Sequence, residues 1–151
     1  MTDPTAFEHL ATFEFDEFLP HPPATVWRVL SEPDLLADWL MPHDGFAPIV
    51  GTRFAFTTEP VPQTGFSGLV DCEVLEVDPG RRLRMSWASA GTALETVVTW
   101  ELVPEGDGTR LLLTQSGFDL DDPAQARAFQ IMNGGWRSHV FRRMTAALDA
   151  L

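Results

Sequence analysis

The last thirty residues, Asp122 to Leu151, constrain the fold of this chain more than any other stretch. Asp121-Asp122-Pro123 sets an acidic N-cap before a proline at the first helical position. Phe129, Met132, Trp136, Val140, Met144, Ala147 and Leu151 then recur at three- and four-residue steps, which is one apolar stripe along a helix. Arg127, Gln130, Arg137, Arg142 and Asp149 fall on the other side. A helix this long with one apolar face needs a broad apolar surface to lie on. The expectation is a single long helix gripped by a curved antiparallel sheet, with a pocket between them.

The rest of the chain supplies the strands. Phe13 to Asp16 alternates apolar and acidic, the period of a strand with one wet face, and the alternation slips at Glu17-Phe18, where a bulge or the strand's end is expected. Pro23 can open a short helix carrying Val26, Trp27 and Leu30 inward. Ser31 then caps a second, with Pro33 just inside and Trp39 near its end. Met41 to Ile49 reads as a loop. Further strands are expected at Thr52–Thr57, Phe66–Val77 (with an interruption near Gly68), Arg82–Trp87, Leu94–Val103 and Arg110–Gln115. The Pro-containing stretch Glu59 to Gly65 cannot join a central ladder. Strands in a run followed by a helix predict an α+β fold: a six-stranded antiparallel sheet around a long C-terminal helix, with two short helices after the first strand.

At 151 residues the length suits one domain spanning 1–151, its core at about 13–148. Ten arginines, no lysine and 22 acidic residues give a net charge of −12, which disfavours nucleic acid and anionic membrane partners. No apolar run reaches the ~20 residues of a membrane span. Met1 to Leu10 lacks the basic start and apolar segment of a secretory signal, so the expected compartment is the cytoplasm. Cys72 is the sole cysteine, which excludes an internal disulfide and a cysteine metal cluster.

No phosphate loop, paired-histidine metal helix, Cys-x-x-Cys or nucleophile elbow occurs, so neither a metal nor a cofactor is expected. His9 and His21 sit in lead-in and proline-rich sequence and read as solvated, and His43 lies in a loop. His139 flanks the helix stripe one turn after Gly135 and could reach a cavity beside Trp136. Gly134-Gly135 in mid-helix costs ~1 kcal/mol per residue against alanine, which calls for close approach to the sheet or a bend that opens space. Trp39, Phe54, Phe56, Trp87, Trp100, Phe118, Phe129 and Trp136 fall on the faces assigned to the interior. Gln115, in line with Leu111 and Leu113, is a candidate polar group among them.

Pro23-Ala24-Thr25-Val26-Trp27-Arg28-Val29-Leu30, followed by Pro33-Asp34-Leu35-Leu36-Ala37-Asp38-Trp39, resembles the opening of the START-like (SRPBCC) superfamily. Glu73 to Leu83 with Trp87, Gly108 to Phe118, and Gly135-Trp136 resemble one branch of it, the bacterial single-domain relatives of the heat-shock-protein-90 ATPase activator's C-terminal domain. The resemblance, from about Phe13 to Leu148, implies a helix-grip fold whose cavity carries apolar molecules and in some members does ring chemistry. Gln115 stands where many relatives carry histidine.

These readings converge on a binder of a small hydrophobic or aromatic molecule, with Trp39, Phe54, Trp87, Trp100, Gln115, Met132, Trp136 and His139 as candidate ligand-binding residues and none assigned a catalytic role. The alternatives are a cyclase-, hydrolase- or isomerase-type enzyme with His139 as base, and a module that contacts a chaperone, as a monomer or homodimer.

Overall fold

A computed structural model describes residues 10–61 and 66–151. His9 and residues 62–65 of the Glu59 to Gly65 stretch lie outside the described residues. Strand β1 (Leu10–Leu19) leads into helices α1 (Pro23–Ser31) and α2 (Pro33–Trp39). Then come β2 (His43–Asp44), β3 (Arg53–Thr57), β4 (Leu69–Asp78), β5 (Arg82–Ser89), β6 (Glu95–Glu105) and β7 (Gly108–Asp119). The C-terminal helix follows in three pieces: α3 (Pro123–Gly135), a π-helical turn (Trp136–Val140) and α4 (Phe141–Asp149).

The sheet is antiparallel throughout, in the order β1-β7-β6-β5-β4-β3-β2. It has seven strands, not the six expected. The extra strand is the two-residue β2, inside the stretch read as a loop. It pairs His43 with Phe56 and Asp44 with Ala55. The Asp44 carboxylate accepts the Ala55 amide at 3.0 Å, and the Thr57 amide reaches the Pro42 carbonyl at 3.0 Å. Two residues carry no alternation, so no period could announce this strand.

Period two decides the inward face. Phe13, Phe15, Phe54, Phe56, Val70, Cys72, Leu83, Met85, Trp87, Val98, Trp100, Leu111 and Leu113 are all buried. The expected break at Glu17-Phe18 does not occur, because pairing with β7 runs in register to Leu19. Phe18 simply belongs to the outer face, where the Arg110 guanidinium lies 5.9 Å from its ring. The irregularity is at the other end, where Ala11 faces Phe118 and Thr12 faces Ser116, leaving Gly117 unpaired between them. Gly117 has φ 108°, and a Cβ there would stand 3.1 Å from the Glu95 carbonyl, so this bulge tolerates glycine alone. Phe66 also falls outside β4; it forms an isolated antiparallel bridge with Val61.

The helix is seated by an apolar row whose spacing explains its π turn. Met132, Trp136, Val140, Met144 and Leu148 stand at strict four-residue steps. Each such step overshoots a straight α-helix by ~40°, so four of them would swing the row by ~160°. One widened turn, with the Phe141 amide bonded to the Trp136 carbonyl, inserts a residue and takes back ~100°. The row accordingly ends on Leu148, 1% exposed, rather than on the exposed Leu151. Asp122 caps α3 as expected, its carboxylate accepting the Ala124 amide at 3.0 Å. His21 is not left to solvent: its Nε2 meets the Asp149 carboxylate of α4 at 3.0 Å.

Candidate functional site

Rings from three strands and the helix touch in one continuous series across the inner face. Centroids are 5.1 Å apart for Phe54–Phe56, 5.4 Å for Phe56–Trp87, 5.7 Å for Trp87–Trp136 and 6.0 Å for Trp100–Trp136. These are ordinary aromatic contact distances. A second group, Phe13, Phe118 and Phe129, fastens the start of the helix to the β1–β7 edge.

Behind Trp136 runs a buried polar relay whose direction is fixed by chemistry. The indole N–H can only donate, so it must meet the Gln115 carbonyl oxygen, at 3.0 Å. The Gln115 amide nitrogen then donates to the Thr96 hydroxyl at 2.9 Å, and that hydroxyl donates to the Trp87 carbonyl at 2.8 Å. Each group is satisfied by the next, which removes the penalty of burying it. The relay ties helix, β7, β6 and β5 together through side chains that are 4% exposed or less.

Unfilled space beside Trp136 lies at the mouth between α3 and the segments that follow α2 and β3. Two overlapping lobes of about 250 and 190 Å³ share Met41, Thr58, Trp87, Ile131 and Met132. The larger continues past Gly135, Trp136 and Val140 to Arg143; the smaller continues to Val61, Phe66 and Ala128. The position of Thr58 depends on Gly68. That residue has φ 92°, and its carbonyl accepts the Thr58 amide at 2.8 Å. A Cβ on it would meet the Thr58 carbonyl at 2.5 Å. Gly134 and Gly135 have open space where a Cβ would project. Close approach to the sheet is therefore not their role, and Gly135 leaves room in the larger lobe.

Of the eight candidate residues, Trp87, Met132 and Trp136 line this groove together. Gln115 and Trp100 stand directly behind Trp136. The glutamine's donors and acceptor are directed into the relay and at the Met132 sulfur, 3.8 Å away. Phe54 is two rings further along the series. Trp39 is elsewhere, locking α2 to α1 by donating to the Val29 carbonyl at 2.7 Å. His139 is exposed, because the π turn carries it out of the interior. Met41, Thr58, Val61 and Phe66 were not foreseen: they sit in connections without periodicity. Ile131 borders the apolar row, and its exposure of 48% places it at the rim.

Cys72 is buried, and loss of hydration, with Asp71's charge adding to it, pushes its thiol far above the ordinary range. It is a small apolar filler. Among the described residues no group of histidine, cysteine and carboxylate side chains could hold a metal ion, and no helix is long and apolar enough to cross a membrane.

A long helix across the inner face of an antiparallel sheet, with two short helices between the first two strands, defines the helix-grip class of α+β folds. The chain belongs to the family described as Activator of Hsp90 ATPase homolog 1-like protein, whose model matches residues 20–149. It is similar to the crystal structure of protein MLL2253 from Mesorhizobium loti, at 36% identity and TM-score 0.80, over 93% of this chain and 98% of that one. It shares its fold with DynU16 of the dynemicin biosynthetic locus, at 22% identity and TM-score 0.73, over 91% of this chain and 47% of that one. CalU16 from Micromonospora echinospora has the same fold, at 21% identity and TM-score 0.59, over 92% of this chain and 84% of that one. No curated protein matches the chain.

Proposed function

We propose that this protein binds a small apolar or aromatic molecule in the groove between its C-terminal helix and the sheet. One observation carries the reading: the smaller lobe, about 190 Å³, is walled by Met41, Trp87, Ile131 and Met132, with Thr58 the one hydroxyl-bearing side chain among the described residues that line it. That exceeds the ~150 Å³ apolar cavity known to accept benzene. Two methionines among the walls suit an adaptable apolar surface. Among the described residues neither lobe is lined by a carboxylate, histidine or cysteine, so those walls offer binding area rather than a proton-transfer pair.

Titration with naphthalene derivatives tests this, because Trp87 and Trp136 report on the groove. The expected result is saturable quenching and a rise in melting temperature, worth about 2.7 kcal/mol at a hundredfold excess over Kd. Ala128→Trp, which fills the smaller lobe, should abolish both. Absence of any response across a broad apolar series, or undiminished binding by Ala128→Trp, would overturn the proposal.

A further inference from the structure

The groove is apolar along its length and charged at one point. Among the described residues its single ionic side chain is Arg143, in the first turn of α4, at the end of the larger lobe. Five arginines show what a committed guanidinium looks like here: Arg28, Arg53, Arg81, Arg82 and Arg110 each hold a carboxylate. Arg84 and Arg137 instead meet neutral oxygens outside the groove, of Thr99 and of Asn133 and Glu14. In a chain with more than two acidic groups per arginine, Arg143 holds none among the described residues. Its contact is one long bond, 3.3 Å, from Nη2 to the backbone carbonyl of Asp38. That leaves most of a planar fork that matches a carboxylate in geometry.

The groove also has a direction. Ala128 lies at one end and Arg143 at the other, fifteen positions apart, or ~22 Å along the helix at ~1.5 Å per residue. A compact ring fills one lobe only; an extended molecule reaches from one end to the other. The net charge of −12 repels anions at long range, so capture of one requires a dedicated cation at the point of contact.

We propose that the ligand of this groove is an elongated amphipathic carboxylate, its apolar body laid along α3 from Ala128 to Met132 and its anionic head paired with Arg143. This rests on the groove being the binding site, and it adds the chemical class. A neutral ligand of the same body gains the burial but not the ion pair.

Fluorescence titration with hexadecanoate and hexadecanol, chains long enough to run from Ala128 to Arg143, separates the two statements. Wild-type protein should bind hexadecanoate about fivefold more tightly than hexadecanol, the value of one partly exposed ion pair. Arg143→Gln should erase that preference. Arg142→Gln changes the net charge equally on a neighbouring side chain outside the groove, and should keep the wild-type preference. Circular dichroism of both variants confirms the fold, since both side chains are exposed. If both ligands bind and Ala128→Trp excludes them, but Arg143→Gln leaves their ratio unchanged or Arg142→Gln shifts it equally, the anionic class is wrong and the groove stands. If neither ligand binds wild-type protein, both proposals fall.

Discussion

The two halves of the C-terminal helix are seated differently on the same protein. In α4, Met144 and Leu148 are each 1% exposed and pack against α1 and α2. In α3, the row continues as Met132 and Phe129, both only partly buried, and Gln125 is the sole buried residue. The π turn is where one regime becomes the other. A helix clamped along its whole length would leave no groove. One clamped along α4, at Trp136 and at the Phe129 ring, and only partly seated between the last two, leaves a gap beside α3. Stability is thus concentrated in α4 and the relay, and open surface in α3.

Methionine truncation breaks the comparison most sharply. Met144→Ala should cost about 3 kcal/mol in urea unfolding, the usual penalty of a cavity in a filled core. Met132→Ala, on the partly open side, should cost less than about 1 kcal/mol yet weaken apolar ligand binding. Equal losses at the two sites would show that α3 is as tightly packed as α4.

The relay comes next. Gln115→Leu keeps the volume but strands the Trp136 N–H and takes away the donor to the Thr96 hydroxyl, which keeps its own bond to the Trp87 carbonyl, at a cost of about 2 kcal/mol. Adding Trp136→Phe, which removes one stranded donor, should recover about 1 kcal/mol of coupling in a double-mutant cycle. Strict additivity would mean the indole bond holds nothing.

How much of this could be read from the chain follows from the same contrast. Where period carries information, the reading succeeds: the inward faces of β3, β5 and β6, the Asp122 cap, and the row Phe129–Met132–Trp136–Val140–Met144. Gln115 was legible as an interior polar group because it continues Leu111 and Leu113, yet its partners were not. Thr96 and Trp136 come from elements whose relative height no spacing sets. Trp39, buried as expected, and His139 lie off the groove for related reasons. A tryptophan on a short helix can turn to the neighbouring helix as readily as to the sheet, and a π turn rotates everything after Trp136 by a residue. The groove's outer wall was invisible because Met41, Thr58 and Phe66 lie in connections, where glycine geometry such as that of Gly68 decides position. The seventh strand was missed for want of length.

Cys72 offers a pH test of the filled side. Its folded pKa lies above the unfolded value of ~8.5, so above that pH the unfolded chain alone releases the proton. Stability should be unaffected below about pH 8 and fall by up to about 1.4 kcal/mol per unit at higher pH. Cys72→Ala should remove that part of the alkaline decline; an identical slope in both proteins would place the thiol in contact with water.

The smallest effect sits on the open side. Gly134→Ala meets nothing within 4 Å and should stabilise the helix by about 1 kcal/mol without changing ligand affinity. A loss of stability would mean the helix needs freedom at that point.

The most direct test is a crystal of the protein soaked with iodobenzene and measured for anomalous scattering. An iodine peak among Trp87, Ile131 and Met132 is the predicted result. Peaks confined to other sites, with Met41 and Ile131 collapsed onto Trp87, would contradict the account.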